Sequence, residues 1–430
     1  MIIAIDDTDS LEGMCTTYLA VKIIKKLEQV GAQVAGFPRL IRLNPNIPHR
    51  TRGNGAVSFR VDFGEGSIDS GKIKKIVIDT VLKYSHIDCD GTNPGIVFYD
   101  KNPEIQKNIY KICSKFYRKC LSEYVEIEDA LNTAEFIGAQ ATGFKNRRGI
   151  IGALAALCTY LSGMEDTTYE LIAYRPGENC GKERNVDIQS IINMDNSTSG
   201  RTFNNIDRGT GEILIMPKGP DPVLLGIRGE TPDDVTQAFH KLKINEEIEF
   251  YTIFKTNQAT DAHLIRRKIS DMLPYNCAII EGEVSAAAKT VEGGHSFFEL
   301  NDGSGRIDCA AYKPSGNFRK IIRKLIPGDV VRVYGGISKY PGTFNLEKIE
   351  ILNLKKSYKK INPLCKCGAR MTSAGSDKGF KCRACGRRAS GNDAGFVEIE
   401  RDIKTGFYEV DTGAMRHLTK PLSRYSGNVF

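Results

Sequence analysis

The hydrophobic pattern changes period along the chain, and each change marks a new part. Ile2-Ile3-Ala4-Ile5 is an unbroken apolar run that predicts a short buried strand leading straight into Asp6-Asp7-Thr8-Asp9-Ser10. Over residues 17–30, Leu19, Ala20, Ile23, Ile24 and Leu27 recur at helical spacing, and Gly31 ends that helix. Residues 34–43 and 55–61 read as strands around a polar loop, and 72–84 as a helix. Strands alternating with helices predict an α/β domain. A basic helix is expected over 103–122, with Asn102 as its N-cap and Pro103 at the first helical position. Helical character continues over 127–132, and a Gly- and Ala-rich helix spans 149–161. Strands at 169–174, 213–216 and 222–228 then mix with helices at 187–193 and 233–242, which suits a ferredoxin-like domain.

From about residue 275 the period shortens. Strands are expected at 277–284, 296–301, 305–311, 329–337 and 343–352, with one helix at 317–325 between the third and the fourth. That is the order of an OB-fold β-barrel. Lys355, Lys356, Lys359 and Lys360 read as a basic linker, and beyond Arg401 the chain reads as loop.

Composition narrows the class. The chain has 430 residues, 41% of them hydrophobic, so it can bury several cores and is neither disordered nor collagen-like. A net charge of +8 suits an anionic partner such as RNA, or a solvated surface with extra lysines. The longest apolar stretch, residues 149–160, is too short and too rich in small residues to span a bilayer. No charged and apolar leader precedes the first strand, so a cytoplasmic protein is expected. The 12 cysteines then read as thiols and metal ligands.

Cys365-x-Cys367 and Cys382-x-x-Cys385 are two close pairs separated by a hairpin-sized insert, with Gly368 and Gly386 at the knuckle turns. Four thiolates in that spacing predict a closed, structural Zn²⁺ site in a small zinc ribbon. Lys381, Arg383 and Arg387 surround it as candidate RNA contacts, and Phe297, Phe298 and Tyr312 are candidate stacking residues on the barrel. Asp6, Asp7 and Asp9, following a strand, are hard oxygen ligands suited to Mg²⁺, and Thr16 and Thr17 open a helix whose N-terminus offers donors to a phosphate. Thr8 and Ser10 of the same turn are candidate ATP- or substrate-binding residues, and the turn also reads as a helix cap. The loop Asn44-Pro45-Asn46-Ile47-Pro48-His49-Arg50-Thr51-Arg52-Gly53-Asn54-Gly55 concentrates forks for phosphate and amides for sugar or base edges. Asn44, Asn46, Arg50, Arg52 and Asn54 are its candidate binding residues. Thr92-Asn93-Pro94-Gly95 and the Pro- and Gly-rich stretch 216–230 read equally as turns or sites. Barrel and ribbon alone would fit a non-catalytic RNA-binding protein.

Ile5-Asp6-Asp7-Thr8-Asp9-Ser10, Gly13-Met14-Cys15-Thr16-Thr17-Tyr18, Arg42-Leu43-Asn44-Pro45-Asn46-Ile47-Pro48 and Thr51-Arg52-Gly53-Asn54-Gly55 closely resemble the archaeal tRNA(Ile) 2-agmatinylcytidine synthetases. The resemblance covers essentially the whole chain. It implies a multidomain α+β protein with a kinase-like ATP-binding domain over 1–125, a ferredoxin-like domain over 126–270, an OB-fold over 271–357 and a zinc ribbon over 361–395. Residues 396–430 would form a tail that contacts tRNA. It further implies attachment of agmatine to C2 of the wobble cytidine of the minor isoleucine tRNA, so that the anticodon reads AUA instead of AUG. ATP would be cleaved to AMP with Mg²⁺, through a phosphate-activated or AMP-activated cytosine. A self-phosphorylated threonine of the family maps to Thr16 or Thr17. Asp207, Asp221 and Glu230 are the candidate carboxylates for agmatine.

Overall fold

The computed structural model describes residues 1–49, 53–64, 68–101, 107–339 and 342–425. The first region runs β1 (Ile2–Asp6), α1 (Thr16–Gln29), β2 (Gln33–Val34), β3 (Arg39–Arg42), β4 (Gly55–Asp62), α2 (Ser70–Tyr84), β5 (Gly95–Tyr99), α3 (Lys107–Ser122), α4 (Ile127–Ile137) and β6 (Gln140–Gly143). The second runs α5 (Gly149–Ser162), β7 (Thr168–Tyr174), α6 (Ile188–Ser197), β8 (Thr202–Phe203), β9 (Ile206–Asp207), β10 (Glu212–Ile213), β11 (Val223–Gly229), α7 (Pro232–Phe239) and β12 (Phe250–Thr256). Both regions contribute to one sheet, in the order β6-β5-β1-β4-β3-β12-β7-β11-β8. Its neighbours are antiparallel except β3 and β12, which run parallel and join the two regions through Arg39↔Lys255 and Leu40↔Thr256.

Strand β1 reads as continuously apolar because both its faces are covered. Ile3 and Ile5 pack with Leu40, Val57 and Phe59 against α1 and α2, whereas Ile2 and Ala4 pack with Ile41 and Val97 against α3 and α5. Helix α5 is small-residue-rich because the sheet comes very close to it. A Cβ on Gly149 would stand 2.4 Å from the Gly95 nitrogen, and one on Gly95 would stand 2.1 Å from the Gly149 carbonyl carbon.

Two expectations change here. Residues 34–43 are not one strand: Gly36 takes φ 69° and Pro38 follows, so the chain leaves the sheet between β2 and β3. Strands β5, β6 and β12 were not anticipated, since their flanking Asn, Pro and Gly residues read as loop. Asn102 and Pro103 lie outside the described residues, and the described part of the basic helix is Lys107–Ser122.

The barrel comprises β13 (Cys277–Thr290), β14 (Ser296–Asn301), β15 (Arg306–Ala311), α8 (Phe318–Ile322), β16 (Val330–Ile337) and β17 (Thr343–Asn353), in the order β15-β14-β13-β16-β17. A parallel pairing of β15 with β17 closes it, with the helix between third and fourth strands as expected. The basic linker is itself a strand, β18 (Ser357–Ile361). The ribbon follows with β19 (Thr372–Ser373), β20 (Phe380–Lys381) and β21 (Arg388–Ala389), and β22 (Gly395–Ile399) returns antiparallel to β18. Beyond Arg401 the chain is not all loop: β23 (Gly406–Glu409) adds to the barrel along β17.

After β23 the chain crosses back over the other domains. Arg424 forks onto Glu230, with Nε donating to Oε1 at 2.5 Å and Nη2 to Oε2 at 2.9 Å. Lys348 of the barrel, fully buried, donates to Asp261 and to the Lys420 carbonyl. Arg416 donates to the Asn46 side chain of the first region. The tail is thus a clasp across barrel and sheet.

Candidate active site

Strand β1 ends at a cavity of about 360 Å³ whose wall includes Asp6, Asp7, Asp9, Thr16 and Thr17. The acidic turn is held by two adjacent residues of one neighbouring segment. Thr92 Oγ1 donates to the Asp9 carbonyl at 2.7 Å, and Asn93 donates to the Asp7 carboxylate. The Thr92–Gly95 stretch is therefore a brace for the acids. Asp7 takes φ 56°, a left-handed conformation that aspartate tolerates better than most residues. Thr8 is buried and donates through Oγ1 to Thr16 Oγ1 at 3.0 Å, and Ser10 Oγ is 2.8 Å from His86 Nδ1. The helix-cap reading thus does not describe Thr8 or Ser10. The N-cap of α1 is Cys15, which makes no side-chain cap bond; its Sγ lies 3.0 Å from Thr17 Oγ1.

The carboxylates strain against each other. Burial, then the charge of Asp7, raises Asp6 well above the usual carboxylate range. Asp7 is pushed up to about 6, chiefly by burial, against the donated bonds of Asn93. Acids driven up in this way are suited to a bound cation. Among the described residues, however, only the four ribbon cysteines bring three or more ligand atoms within 4.8 Å of one another.

The second region supplies the opposite wall, with Glu170, Asp221 and Arg228, and the tail adds His417. Glu170 is 3% exposed and sits between cations: Arg228 Nε donates to it at 3.1 Å and Arg42 Nη2 lies 3.7 Å away. Asp221 is buried and accepts from the Val223 N–H at 3.1 Å. A second cavity of about 790 Å³, lined by Ser10, Glu12, Asp88 and Asp90, shares Asp7, His49 and Arg148 with the first.

Several predicted binding residues have other tasks. Asn44 donates to the carbonyls of Glu123 and Tyr275, at 3.0 and 2.8 Å, and accepts from the Asn46 N–H. Asn46 donates to Cys277 Sγ at 3.2 Å. Both anchor the loop to the barrel. Asn54 does line the cavity, while donating to the Asn44 carbonyl at 2.9 Å. Arg50 and Arg52 lie outside the described residues. Of the three carboxylates proposed for agmatine, only Asp221 lines the cavity. Asp207 accepts from the N–H groups of Gly209 and Gly413, both at 2.9 Å, and Glu230 is bound by Arg424. Sequence reasoning did not single out Arg148, Glu170 or His417. A charge within an otherwise buried strand was the available signal for Glu170.

Matches to family models divide the chain as a TiaS TCKD domain over residues 2–146, a TiaS FLD domain over 147–263, an OB-fold nucleic acid binding domain over 278–354 and a TiaS C-terminal zinc ribbon domain over 362–403. The tRNA(Ile2) 2-agmatinylcytidine synthetase TiaS of Methanocaldococcus jannaschii is 43% identical over 422 residues, covering 98% of both chains. The chain belongs to the TiaS family. The relative from Methanosarcina acetivorans is 40% identical, over 99% of this chain and 97% of its own. Among solved structures, a TiaS–tRNA(Ile2)–ATP complex matches with a TM-score of 0.89 at 40% identity, over 100% of this chain and 98% of that one. A TiaS–tRNA(Ile2)–AMPCPP–agmatine complex matches with a TM-score of 0.86 at 38% identity, with the same coverage.

The family's ribbon and barrel are both present in usable form. The Cys365 and Cys385 sulfurs lie 3.5 Å apart and those of Cys367 and Cys382 3.6 Å, a convergence that fits tetrahedral Zn²⁺. Lys381, Arg383 and Arg387 are exposed beside it. On the barrel, Tyr312 is 40% exposed and meets the His295 and Phe297 rings edge-on, at 5.3 and 6.3 Å. Phe298 is 2% exposed within the barrel core, so it is a packing residue rather than a stacking platform. Among the described residues no helix is long and apolar enough to cross a membrane.

Proposed function

We propose that this chain uses ATP to conjugate agmatine to C2 of the wobble cytidine of the minor isoleucine tRNA, forming 2-agmatinylcytidine. The observation that carries the chemistry is the meeting of two cavities at Asp7, His49 and Arg148, with Thr16 and Thr17 on the wall of one of them. Two substrates can occupy adjoining compartments and react where these join.

The C2 oxygen of cytosine is a poor leaving group. Phosphoryl transfer from ATP turns it into phosphate, which the primary amine of agmatine then displaces. Arg148 is placed to face the phosphate charge. The cytidine must leave its stack to enter. Asp7 and Asp9 are the residues that would hold Mg²⁺, and a divalent ion there would neutralise phosphate charge. The raised carboxyls of Asp6 and Asp7 support that assignment, because a cation relieves their repulsion. Thr16 or Thr17 receives a phosphoryl group in the self-modification. Asp221 is the buried cavity carboxylate for the guanidinium of agmatine. Phe297 and Tyr312 on the barrel, with the basic ribbon, hold the RNA away from the chemistry.

The test is to incubate the protein with ATP, Mg²⁺, labelled agmatine and isoleucine tRNA bearing an unmodified wobble cytidine. Label should enter the tRNA. If folded protein leaves it all in solution, the activity is wrong. Full modification by the Thr16→Ala, Thr17→Ala double variant would exclude phosphothreonine from the pathway.

A further inference from the structure

We propose that one face of helix α3 is the track along which the RNA backbone reaches the active site, its phosphates held by Lys111, Lys115, Arg118 and Lys119; this rests on the reaction proposed above. Helix α3 is two-sided. Cys113, Phe116, Tyr117, Cys120 and Leu121 are buried in the core that α3 shares with α5 and the sheet. Lys111, Lys115 and Lys119 recur at every fourth position, which sets one ammonium per turn along the opposite side. Lys111, Lys115 and Arg118 are exposed, and Lys119 is partly so.

This row lines a hollow of about 620 Å³, to which Ile265 contributes from the segment entering the barrel. The Ile265 carbonyl accepts from the Ile279 N–H at 2.8 Å, so that wall is fixed to β13. Charge in the hollow is nearly all of one sign. Glu123 is its acid, and Arg267 Nη2 donates to it at 2.5 Å. Arg118 and Lys119 pair with Glu165 and Asp129. Such solvated pairs are weak enough to be exchanged for phosphate. Lys111 and Lys115 have no ion-pair partner among the described residues.

The end of the helix gives the track its direction. Glu123 lines both this hollow and the active-site cavity, and Cys120 lines the cavity as well. Asn44 donates from its backbone N–H to the Cys120 carbonyl at 3.1 Å and from its amide to the Glu123 carbonyl at 3.0 Å. The end of α3 is thereby tied to the loop that brings Ile47 and His49 into the cavity wall. A base entering the cavity past Glu123 leaves its neighbouring phosphates beside the cationic row. An acidic peptide would match the charge, but only a polyanion joined to the reacting base must run from this hollow to that cavity. From Lys111 to Ser122 the helix rises about 17 Å, room for about five phosphates of one strand.

The test measures binding of the full-length protein to isoleucine tRNA with an unmodified wobble cytidine, over a range of salt. Lys111→Glu/Lys115→Glu should bind roughly tenfold more weakly at low salt, and the slope of log affinity against log salt should shrink by about 1.5. Its melting temperature should match the native one, since both side chains are exposed. Lys241→Glu/Lys243→Glu, on exposed positions after α7, makes the same change in net charge and should lose far less. Hydroxyl-radical footprinting should show backbone within about five nucleotides of the wobble cytidine protected by the native protein and by the control pair, but open in Lys111→Glu/Lys115→Glu. Native affinity and slope in that variant overturn the proposal and leave the hollow to an acidic peptide. An equal loss in the control pair, or protection lost only in a remote arm of the tRNA, overturns it too. If the native protein does not bind the tRNA, the parent reading fails instead.

Discussion

A Cβ on Gly152 would stand 1.9 Å from Asp6 Oδ2 and 2.7 Å from its carboxyl carbon. Helix α5 thus lies directly on the first acid of the turn, and only hydrogen fits between them. Gly152→Ala must move the carboxylate or the helix. Overpacking of this kind costs about 1–3 kcal/mol, so the melting temperature should fall by several degrees. Agmatine transfer should fall further than stability explains, by at least about tenfold, since misplacement near reacting groups is costly. Calorimetry and label transfer measure the two effects. A variant with native activity would remove Asp6 from the machinery.

Asp7 sits at about 6 instead of the ordinary 3.8, chiefly through burial. A folded-state value raised above the unfolded one favours the folded protein in acid. That contribution is lost as pH rises from about 4 through about 6. A Mg²⁺ ion held there, as proposed, would need the ionised form and would reverse the trend. Mg²⁺ should therefore raise the melting temperature clearly well above pH 6 and little below pH 5, and Asp7→Asn should abolish the difference. Equal shifts at both pH values would argue against a carboxylate cation site.

Glu347 is buried in the barrel, yet its carboxyl is drawn down to about 2. Burial pushes it up, and His263, Arg416 and Thr419 more than offset that. A depressed acid stabilises above its unfolded value. The contribution should fade as pH drops from about 4.5 towards about 2. Glu347→Gln leaves a buried pair broken and should cost about 3–5 kcal/mol in urea unfolding near neutral pH. The loss should shrink in acid. A loss independent of pH would show that the charge is not what matters.

Phe297 and Phe298 are neighbours in sequence with opposite tasks. Phe297→Ala and Tyr312→Ala should each weaken tRNA binding by about 1–3 kcal/mol and leave the melting temperature nearly unchanged. Phe298→Ala should instead destabilise the barrel by about 3–5 kcal/mol. Filter binding and thermal unfolding on the same preparations separate the two. Normal tRNA affinity in both Phe297→Ala and Tyr312→Ala would remove this face from the RNA interface.

Local chemistry was the legible part. The cysteine spacing announced the ribbon because all four ligands fall within one short segment. The five barrel strands and their helix followed from period and turn residues. The acid turn was readable because it ends an apolar strand. What the sequence could not convey was partnership at a distance. Asn44 and Asn46 read as binding groups, but their amides are committed to Glu123, Tyr275 and Cys277. Glu170 and His417 read as nothing in particular, because their meaning comes from Gln258 standing between them. Strand β23 was read as loop because its pairing partner in β17 lies a whole ribbon earlier.

The tail's clasp has a consequence for how the protein matures. Asp6 and His417 line one cavity, so the chain must close nearly its full described length before the site exists. Contacts between such distant residues form late, because loop closure must precede any gain from them. The sheet around β1 can form from nearer neighbours, leaving an intermediate with acids in place and one wall missing. Such an intermediate should neither confine ATP nor position an amine. Competence would then arrive in a single late step, together with the docking of barrel and tail.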